Sequence, residues 1–310
     1  MDLTLNPDQI ALVDAAGKLA APYKSIPANS RATILVSEEL NARLAESGFR
    51  DVARLEGMGA LDAVLIAEVV HALPFHVDYI APALLSQTLD IDIPGSVTCL
   101  TAASAAARNL IPGATALIVE GADVRVLQIT ADMVAPIETP FAYPLGRLKT
   151  GAAASRKILK GAAAPMLRAW RLALATEIAA AARAAVELTV AFVNERRQFG
   201  KPIGAYQAVQ HRLSECTAAV HAIEALVRRA AALQTDEAIL AALTFAKENC
   251  TRIIYDTHQF QGAIGLTYEY PLHFYTYRLR LLHGELGGPQ ESAEALALER
   301  WRDEAPDWGE

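Results

Sequence analysis

The stretch Glu195-Arg196-Arg197-Gln198-Phe199-Gly200-Lys201-Pro202-Ile203-Gly204-Ala205-Tyr206-Gln207-Ala208-Val209-Gln210 closes one long helical pattern and opens another. Arg196 and Arg197 fall in the last turn of the first helix, where the macrodipole favours cations. Phe199-Gly200-Lys201-Pro202 then breaks the ladder, with glycine serving as a C-cap and proline unable to continue it. A guanidinium on a rigid helix end, beside an aromatic ring and a tight turn, suits a phosphate group. The same features also make an ordinary helix cap.

Long helices lie on both sides of that turn. Ala162 to Arg197 is one alanine-rich segment, roughly 50 Å long if helical throughout, with Leu167, Leu174, Ile178, Ala185 and Val186 forming an apolar stripe. Tyr206 to about Leu233 makes a second helix. Thr235-Asp236-Glu237 caps a third, which runs to Gln261 with Leu240, Leu243, Ile253 and Ile254 inward. Gly262 and Gly265 end it, and Leu272 to Leu282 makes a fourth. Long helices joined by short turns pack as an antiparallel four-helix bundle. Alanine-rich faces let backbones approach closely, which favours contacts between copies or partners.

A second stretch stands downstream: His258-Gln259-Phe260-Gln261-Gly262-Ala263-Ile264-Gly265, followed by Thr267-Tyr268-Glu269-Tyr270-Pro271-Leu272. Together the two stretches resemble the signature of the acyl-CoA dehydrogenases, flavoproteins that desaturate acyl-CoA thioesters at the α and β carbons. The resemblance is firm over the C-terminal half, loose over the N-terminal helices and poor in the middle. It implies FAD as cofactor, with the two stretches meeting across a subunit interface to hold the ADP half of the neighbour's FAD. Carried over residue by residue, it makes Arg196 a bidentate donor to phosphate and packs Phe199 against the adenosine part. Gln207 and Gln259 supply amides for ribose or phosphate oxygens. Gly262 and Gly265, with small Ala263 between them, bring main-chain N–H groups close to a pyrophosphate. Ala263 stands where many members have a second glycine. Without the first stretch, the second reads as a helix C-terminus with a glycine cap.

The first ninety residues read as helices. Asn6-Pro7-Asp8-Gln9 combines a capping asparagine, proline at the first position and glutamine at the third. Ser37-Glu38-Glu39 starts another helix that stops at Gly48, and Asp62 to Leu73 and Asp78 to Leu89 follow. His71 and His76 flank the Leu73-Pro74 break and read as structural or surface residues. From Asp90 the character changes. Val97 to Leu100, Ala116 to Val119 and Val124 to Ile129 are short and β-branched, with Glu120-Gly121-Ala122-Asp123 a hairpin turn between the last two. The resemblance implies a larger barrel here, opening with a Thr-Glu-Pro and Gly-Ser-Asp pattern that walls the flavin ring. Leu100-Thr101 runs instead into Ala102-Ala103-Ser104, so that wall is expected to be absent.

The expected architecture is therefore mainly α with a small β domain. An N-terminal helical domain spans 1–89, a reduced middle β-barrel 90–157, and a C-terminal four-helix bundle with the FAD-ADP motifs 158–310. At 310 residues and 53% hydrophobic content, there is material for two or three modest domains. A formal net charge of -7 argues against nucleic-acid or anionic-membrane binding. No basic region followed by an apolar one opens the chain, and no run approaches eighteen apolar residues. Cys99, Cys216 and Cys250 lack metal spacing and read as reduced cytoplasmic thiols. His211 and His221 lack a ligand pattern, Gly113 and Gly121 sit in turns, and HExxH, GxSxG and GxxxxGK[ST] are all missing.

The catalytic base is the difficulty. The family needs a carboxylate beside the thioester to take the α proton. One family location lies after the last bundle helix, where this chain reads Leu281-Leu282-His283-Gly284-Glu285-Leu286-Gly287-Gly288. The other lies twenty-six residues before the motif arginine, where counting back from Arg196 gives Trp170. No catalytic residue is assigned. Glu177, two turns from Trp170 on roughly the same face, and Glu285 are the nearest candidates, and each also suits a solvated or cap position. An FAD-ADP arm, a shrunken β domain and a missing base together resemble the short subunit of heteromeric acyl-CoA dehydrogenases that degrade sterol side chains. The resemblance implies an α2β2 assembly with a full-length subunit that carries the base, the flavin ring and most of the acyl-CoA contacts. A self-sufficient homo-oligomer with a displaced base, a flavin-free scaffold, and a relative that hydrates or dehydrates an acyl-CoA remain open.

Overall fold

The structure is a computed structural model in which residues 4–26, 32–101, 106–149 and 157–302 are described. Four helices come first: α1 (Pro7–Ala20), α2 (Glu38–Glu46), α3 (Ala60–Val70) and α4 (Ile80–Leu89). The start signals act as the sequence predicts. Asn6 Oδ1 accepts from Gln9 N–H at 2.8 Å while Gln9 Oε1 accepts from Asn6 N–H at 3.2 Å, and Ser37 Oγ accepts from Leu40 N–H at 3.1 Å. Each bond satisfies a donor that the first helical turn leaves unpaired.

Among the described residues seven short strands follow: β1 (Val97–Leu100), β2 (Ala106–Arg108), β3 (Thr115–Glu120), β4 (Asp123–Gln128), β5 (Val134–Ile137), β6 (Leu145–Leu148) and β7 (Lys157–Leu159). They form a four-stranded sheet in the order β1-β3-β4-β7 and a three-stranded sheet in the order β2-β6-β5. The expected hairpin is present, with Glu120 paired to Asp123 across Gly121, whose φ of 64° the tight turn requires. The strands β2, β5, β6 and β7 were not expected. They are three or four residues long, and Pro136 lies inside β5, so alternation had too few positions to register. The Ala102-Ala103-Ser104 replacement lies outside the described residues.

The C-terminal part is built from α5 (Ala163–Glu195), α6 (Gln207–Leu233), α7 (Asp236–Gln261) and α8 (Leu272–Gly284), with a further helix α9 (Pro289–Arg300) that was not expected. Pro289 at its first position, behind Gly287-Gly288, was the available start signal. The long helix α5 departs from the expected stripe. Residues 172–182 are buried all round, because alanines there allow α3, α4, α6, α7 and α8 to pack against one helix. Any polar side chain in that stretch must find a partner inside the protein. Arginine clasps join the parts. Arg228 grips the buried Glu68 of α3 with two bonds of 2.9 and 2.7 Å, and Arg168 holds Asp236 likewise at 2.9 and 2.5 Å. Among the described residues no helix is long and apolar enough to cross a membrane.

Candidate functional site

Two places carry the functional residues, one at the end of α5 and one in the crevice between the small sheets and the bundle. At the first, the local structure differs from the expected cap. Helix α5 ends at Arg196 with φ -68° and ψ 116°, an extended conformation that needs no glycine. Arg197–Gln198 (β8) then pairs antiparallel with Lys201–Pro202 (β9), with Phe199 and Gly200 as the two turn residues. Both have positive φ, 53° and 85°, as a hairpin turn of the primed type demands. Gly200 is therefore a hairpin residue and not a helix cap. The Tyr206 hydroxyl donates to the Gln198 or Phe199 carbonyl, each at 3.4 Å, and Lys201 Nζ sits 4.1 Å from the Tyr206 ring centre. Tyr206, which sequence reasoning left without a role, braces the turn.

This bracing leaves Phe199 91% exposed, with the Arg196 guanidinium also exposed. Arg197 lies in the strand, so alternation turns it to the opposite side from Arg196. Its Nη2 reaches only the Gly200 carbonyl, at 3.5 Å. Gln207 is exposed at the first position of α6, and Gln259 is exposed in the last turn of α7. Gly262 ends α7 with φ 62° and spends its N–H on the His258 carbonyl. Ala263 is exposed, whereas Gly265 is buried, where a Cβ would lie 2.9 Å from Gln261 Cβ. The two stretches share one end of the bundle. Gln261 Nε2 donates to Thr189 Oγ1 at 2.8 Å, and the Tyr270 and Phe192 rings meet edge-on at 5.7 Å. Within the protomer the structure places an exposed cation and aromatic ring at one corner and exposed Gln259 and Ala263 on a neighbouring turn. A pyrophosphate with an adenosine fits that donor set.

The second place gathers both carboxylate candidates. Glu177, in the fully buried middle of α5, and Glu285, just after α8, are tied by one side chain that the sequence did not single out. Arg108, at the end of β2, is 4% exposed. Its Nε donates to Glu285 Oε2 at 2.7 Å and its Nη1 to Glu177 Oε2 at 3.1 Å. Nη2 lies 3.0 Å from Glu177 Oε1, near enough for the ion pair though not aligned as a hydrogen bond. Glu177 Oε2 takes a second donor, and the fourth oxygen, Glu285 Oε1, is engaged as well. Tyr143 O–H donates to Glu177 Oε2 at 2.6 Å, and Trp170 Nε1–H donates to Glu285 Oε1 at 2.5 Å. The guanidinium carbon is 5.2 Å from the Tyr143 ring centre and 5.0 Å from that of Trp170, over both aromatic rings.

The electrostatics around this cluster are set by burial. Burial works against charge on Arg108, but Glu177 and then Glu285 outweigh it and push its pKa well above the ordinary guanidinium range. Burial holds His71 neutral, its pKa lowered to about 3, with Arg278 and Arg108 adding to the shift. His76 is depressed for the same reasons and packs edge-on to Tyr143 at 5.2 Å. The two histidines are thus structural, as expected, but neither lies at the surface. A second buried guanidinium, Arg278, donates to the Leu73 and Pro74 carbonyls at 2.7 and 2.6 Å and so closes the end of α3. Lys247 Nζ donates to the Glu285 and Gly288 carbonyls at 2.6 and 3.2 Å, fixing the segment that carries Glu285. Lys247 had a sequence signal: it shares the inward face of α7 with Leu243 and Cys250, at helical spacing. Arg108 had none, because a lone arginine in a three-residue strand looks like surface.

Comparison with known proteins bears on the fold that carries these two places. Residues 161–300 match the model of the acyl-CoA dehydrogenase C-terminal domain. Acyl-CoA dehydrogenase IpdE2 of Mycolicibacterium smegmatis is 32% identical over 128 residues, 41% of this chain and 41% of that protein. Acyl-CoA dehydrogenase FadE34 of Mycobacterium tuberculosis is 32% identical over 192 residues, 57% of this chain and 26% of that protein. The matched stretches thus span less than half the length of these relatives. Among solved structures, the ChsE4-ChsE5 complex from Mycobacterium tuberculosis superposes with a TM-score of 0.79 at 18% identity, covering 99% of this chain and 100% of that one. The Tcur3481-Tcur3483 steroid ACAD variant gives 0.79 at 22% identity, covering 97% and 100%. At such identities the likeness establishes the fold alone. Residues 161–300 therefore belong to the acyl-CoA dehydrogenase family as its C-terminal domain, and the chain as a whole carries that family's fold.

Proposed function

We propose that this chain is the base-less subunit of an FAD-dependent acyl-CoA dehydrogenase, acting with a full-length subunit on a bulky acyl-CoA of the sterol side-chain class. The observation that carries the proposal is the state of Glu177 and Glu285. Every oxygen of both carboxylates lies against Arg108, Tyr143 or Trp170. A base needs a free oxygen within hydrogen-bond reach of the proton that it removes, and neither residue has one. The other half of the proposal is the corner at the end of α5. Arg196 binds the pyrophosphate as a fork, Phe199 covers the adenosine, and Gln207 orients the ribose. Gln259, Gly262 and Ala263 face the corresponding arm of the adjoining subunit, with buried Gly265 letting the turn close behind them. When bound, FAD supplies the acceptor for the hydride that leaves the β carbon. Removal of the α proton falls to the partner.

The relatives support the substrate class and the pairing. One structural neighbour is described as a steroid ACAD and another as a complex of two differently named chains. The test is co-expression with a full-length acyl-CoA dehydrogenase encoded nearby, followed by measurement of mass and flavin content. An α2β2 complex holding flavin is expected, with the chain alone unable to bleach its flavin anaerobically with any acyl-CoA. Bleaching by the chain alone would return the self-sufficient enzyme to first place. A stable complex whose flavin content is indifferent to Arg196 would favour the scaffold.

A further inference from the structure

The crevice that holds Arg108 is shaped for a guanidinium from every side. Three of the four oxygens of Glu177 and Glu285 lie within 3.1 Å of its three nitrogens. Its carbon lies over two aromatic rings, at 5.2 and 5.0 Å from their centres. Tyr143 and Trp170 each donate to one of the same carboxylates, so each carboxylate is also held by a donor other than the cation. Recognition by two carboxylates that accept separate N–H groups, under two aromatic rings, selects a planar guanidinium over an ammonium, which offers a point charge and no flat face. The cage is also reachable. A cavity of about 390 Å³ opens against it, lined by Arg108 and Glu285 together with Cys99, Phe141, Arg280 and Leu286.

We propose that Arg108 is an internal plug: the crevice between the sheets and the bundle is a cation site built from Glu177, Glu285, Tyr143 and Trp170, occupied and shut by the chain's own guanidinium. The plug has two consequences. It commits both carboxylates of the crevice to N–H donors, which silences the place for acid–base chemistry. It also pins β2 to α5 and to the segment after α8, since one side chain bridges all three. When the plug is removed, the cage takes up a free alkylguanidinium through the adjoining cavity. This inference stands on the geometry of the crevice and survives if the pairing with a flavin-bearing partner fails.

Chemical rescue tests it on the full chain. Arg108→Ala is expected to unfold at a lower temperature than the parent. Millimolar ethylguanidinium should restore part of the loss with saturable binding by calorimetry, while ethylammonium and sodium chloride at equal ionic strength should not. The parent chain should bind ethylguanidinium at least about tenfold more weakly, because its site is filled. If Arg108→Ala does not fold unaided, refolding is attempted with each additive, and recovery in ethylguanidinium alone supports the plug. Equal responses to the three additives, no saturable binding by a folded Arg108→Ala, or equal binding by the parent chain would each overturn it. Arg108→Lys separates charge from shape. It should regain less stability than Arg108→Ala does with ethylguanidinium, and full recovery by lysine would remove the case for a guanidinium-shaped site.

Discussion

The indole Nε1–H of Trp170 donates to Glu285 Oε1 at 2.5 Å, joining the first half of α5 to the segment after α8, 115 residues downstream. Trp170 and Glu285 fall at or near the two positions where the resemblance leads one to look for a base. Here the two positions bond to each other. Trp170→Phe keeps the ring over Arg108 but deletes the donor, leaving a carboxylate oxygen unpaired. A loss of about 1–3 kcal/mol is expected, to be read from the denaturant midpoint. An unchanged midpoint would mean that this bond contributes nothing net.

Acidification should destabilise the chain, and the sign follows from the buried histidines. A histidine takes a proton near 6.5 in the unfolded chain, but His71 does so in the folded chain only at about 3. The unfolded state therefore binds more protons in that window, and stability falls as pH drops below about 6.5. His71 alone costs about 2 kcal/mol at pH 5. Asp78 works in the opposite direction. Burial raises it to about 6, so its contribution is full below about 4 and lost as pH rises through about 6. With His76 shifted the same way as His71, the histidines outweigh Asp78. The thermal midpoint should drop between pH 7 and pH 5, more steeply in Asp78→Asn and less steeply in His71→Gln. A midpoint that rises on acidification would contradict the assignment.

Flavin retention by the assembled complex should depend on Arg196 far more than on Arg197. Two charge-assisted bonds to a pyrophosphate contribute roughly 1.5–3 kcal/mol each, so Arg196→Ala should lower flavin affinity at least about tenfold. Arg196→Lys should recover only part. Arg197→Ala, on the opposite side of the strand, is the control. Equal retention in all three, with assembly intact, excludes the role.

The hairpin turn offers a separate check on the same corner. Gly200 has φ 85° and open space where a Cβ would be. Gly200→Val therefore meets backbone strain without a clash, at a cost of about 1 kcal/mol or more. Flavin content of the complex should fall while the helical circular dichroism stays at the parent value. If flavin content is unaffected, the hairpin does not present Phe199 to the cofactor.

Gly146 makes the contrasting prediction. A Cβ there would overlap the Leu110 carbonyl and lie 2.7 Å from Val134 Cγ2, both belonging to the fixed framework around the β2-β6-β5 sheet. Gly146→Ala should cost more than 1–3 kcal/mol, the usual range for overpacking, and should be detected as loss of soluble expression or of the cooperative transition.

How much was legible in the sequence follows from the range of the forces involved. Helix starts at Asn6, Ser37 and Thr235 were readable because a cap is a contact over three residues, and the long helices because their pattern repeats over many turns. The Glu120–Asp123 hairpin was readable for the same local reason, and so was the pair of stretches around Arg196 and Gly262. The strands β2, β5, β6 and β7 were not, since their pairing is made by partners elsewhere in the chain. Nor was the hairpin at Phe199-Gly200, where the break was plain but its geometry depends on Tyr206 and on the end of α5. The crevice belongs wholly to tertiary structure. Arg108, Tyr143 and Glu285 come from three separate places and meet Trp170 and Glu177 of α5, and nothing near those three in sequence says that they are buried. Glu177 could be recognised as a carboxylate in an apolar helix, and burial of that helix then obliges it to find a cation. That the cation is Arg108, and that Glu285 shares it, follows only from the packing of the small sheets onto the bundle.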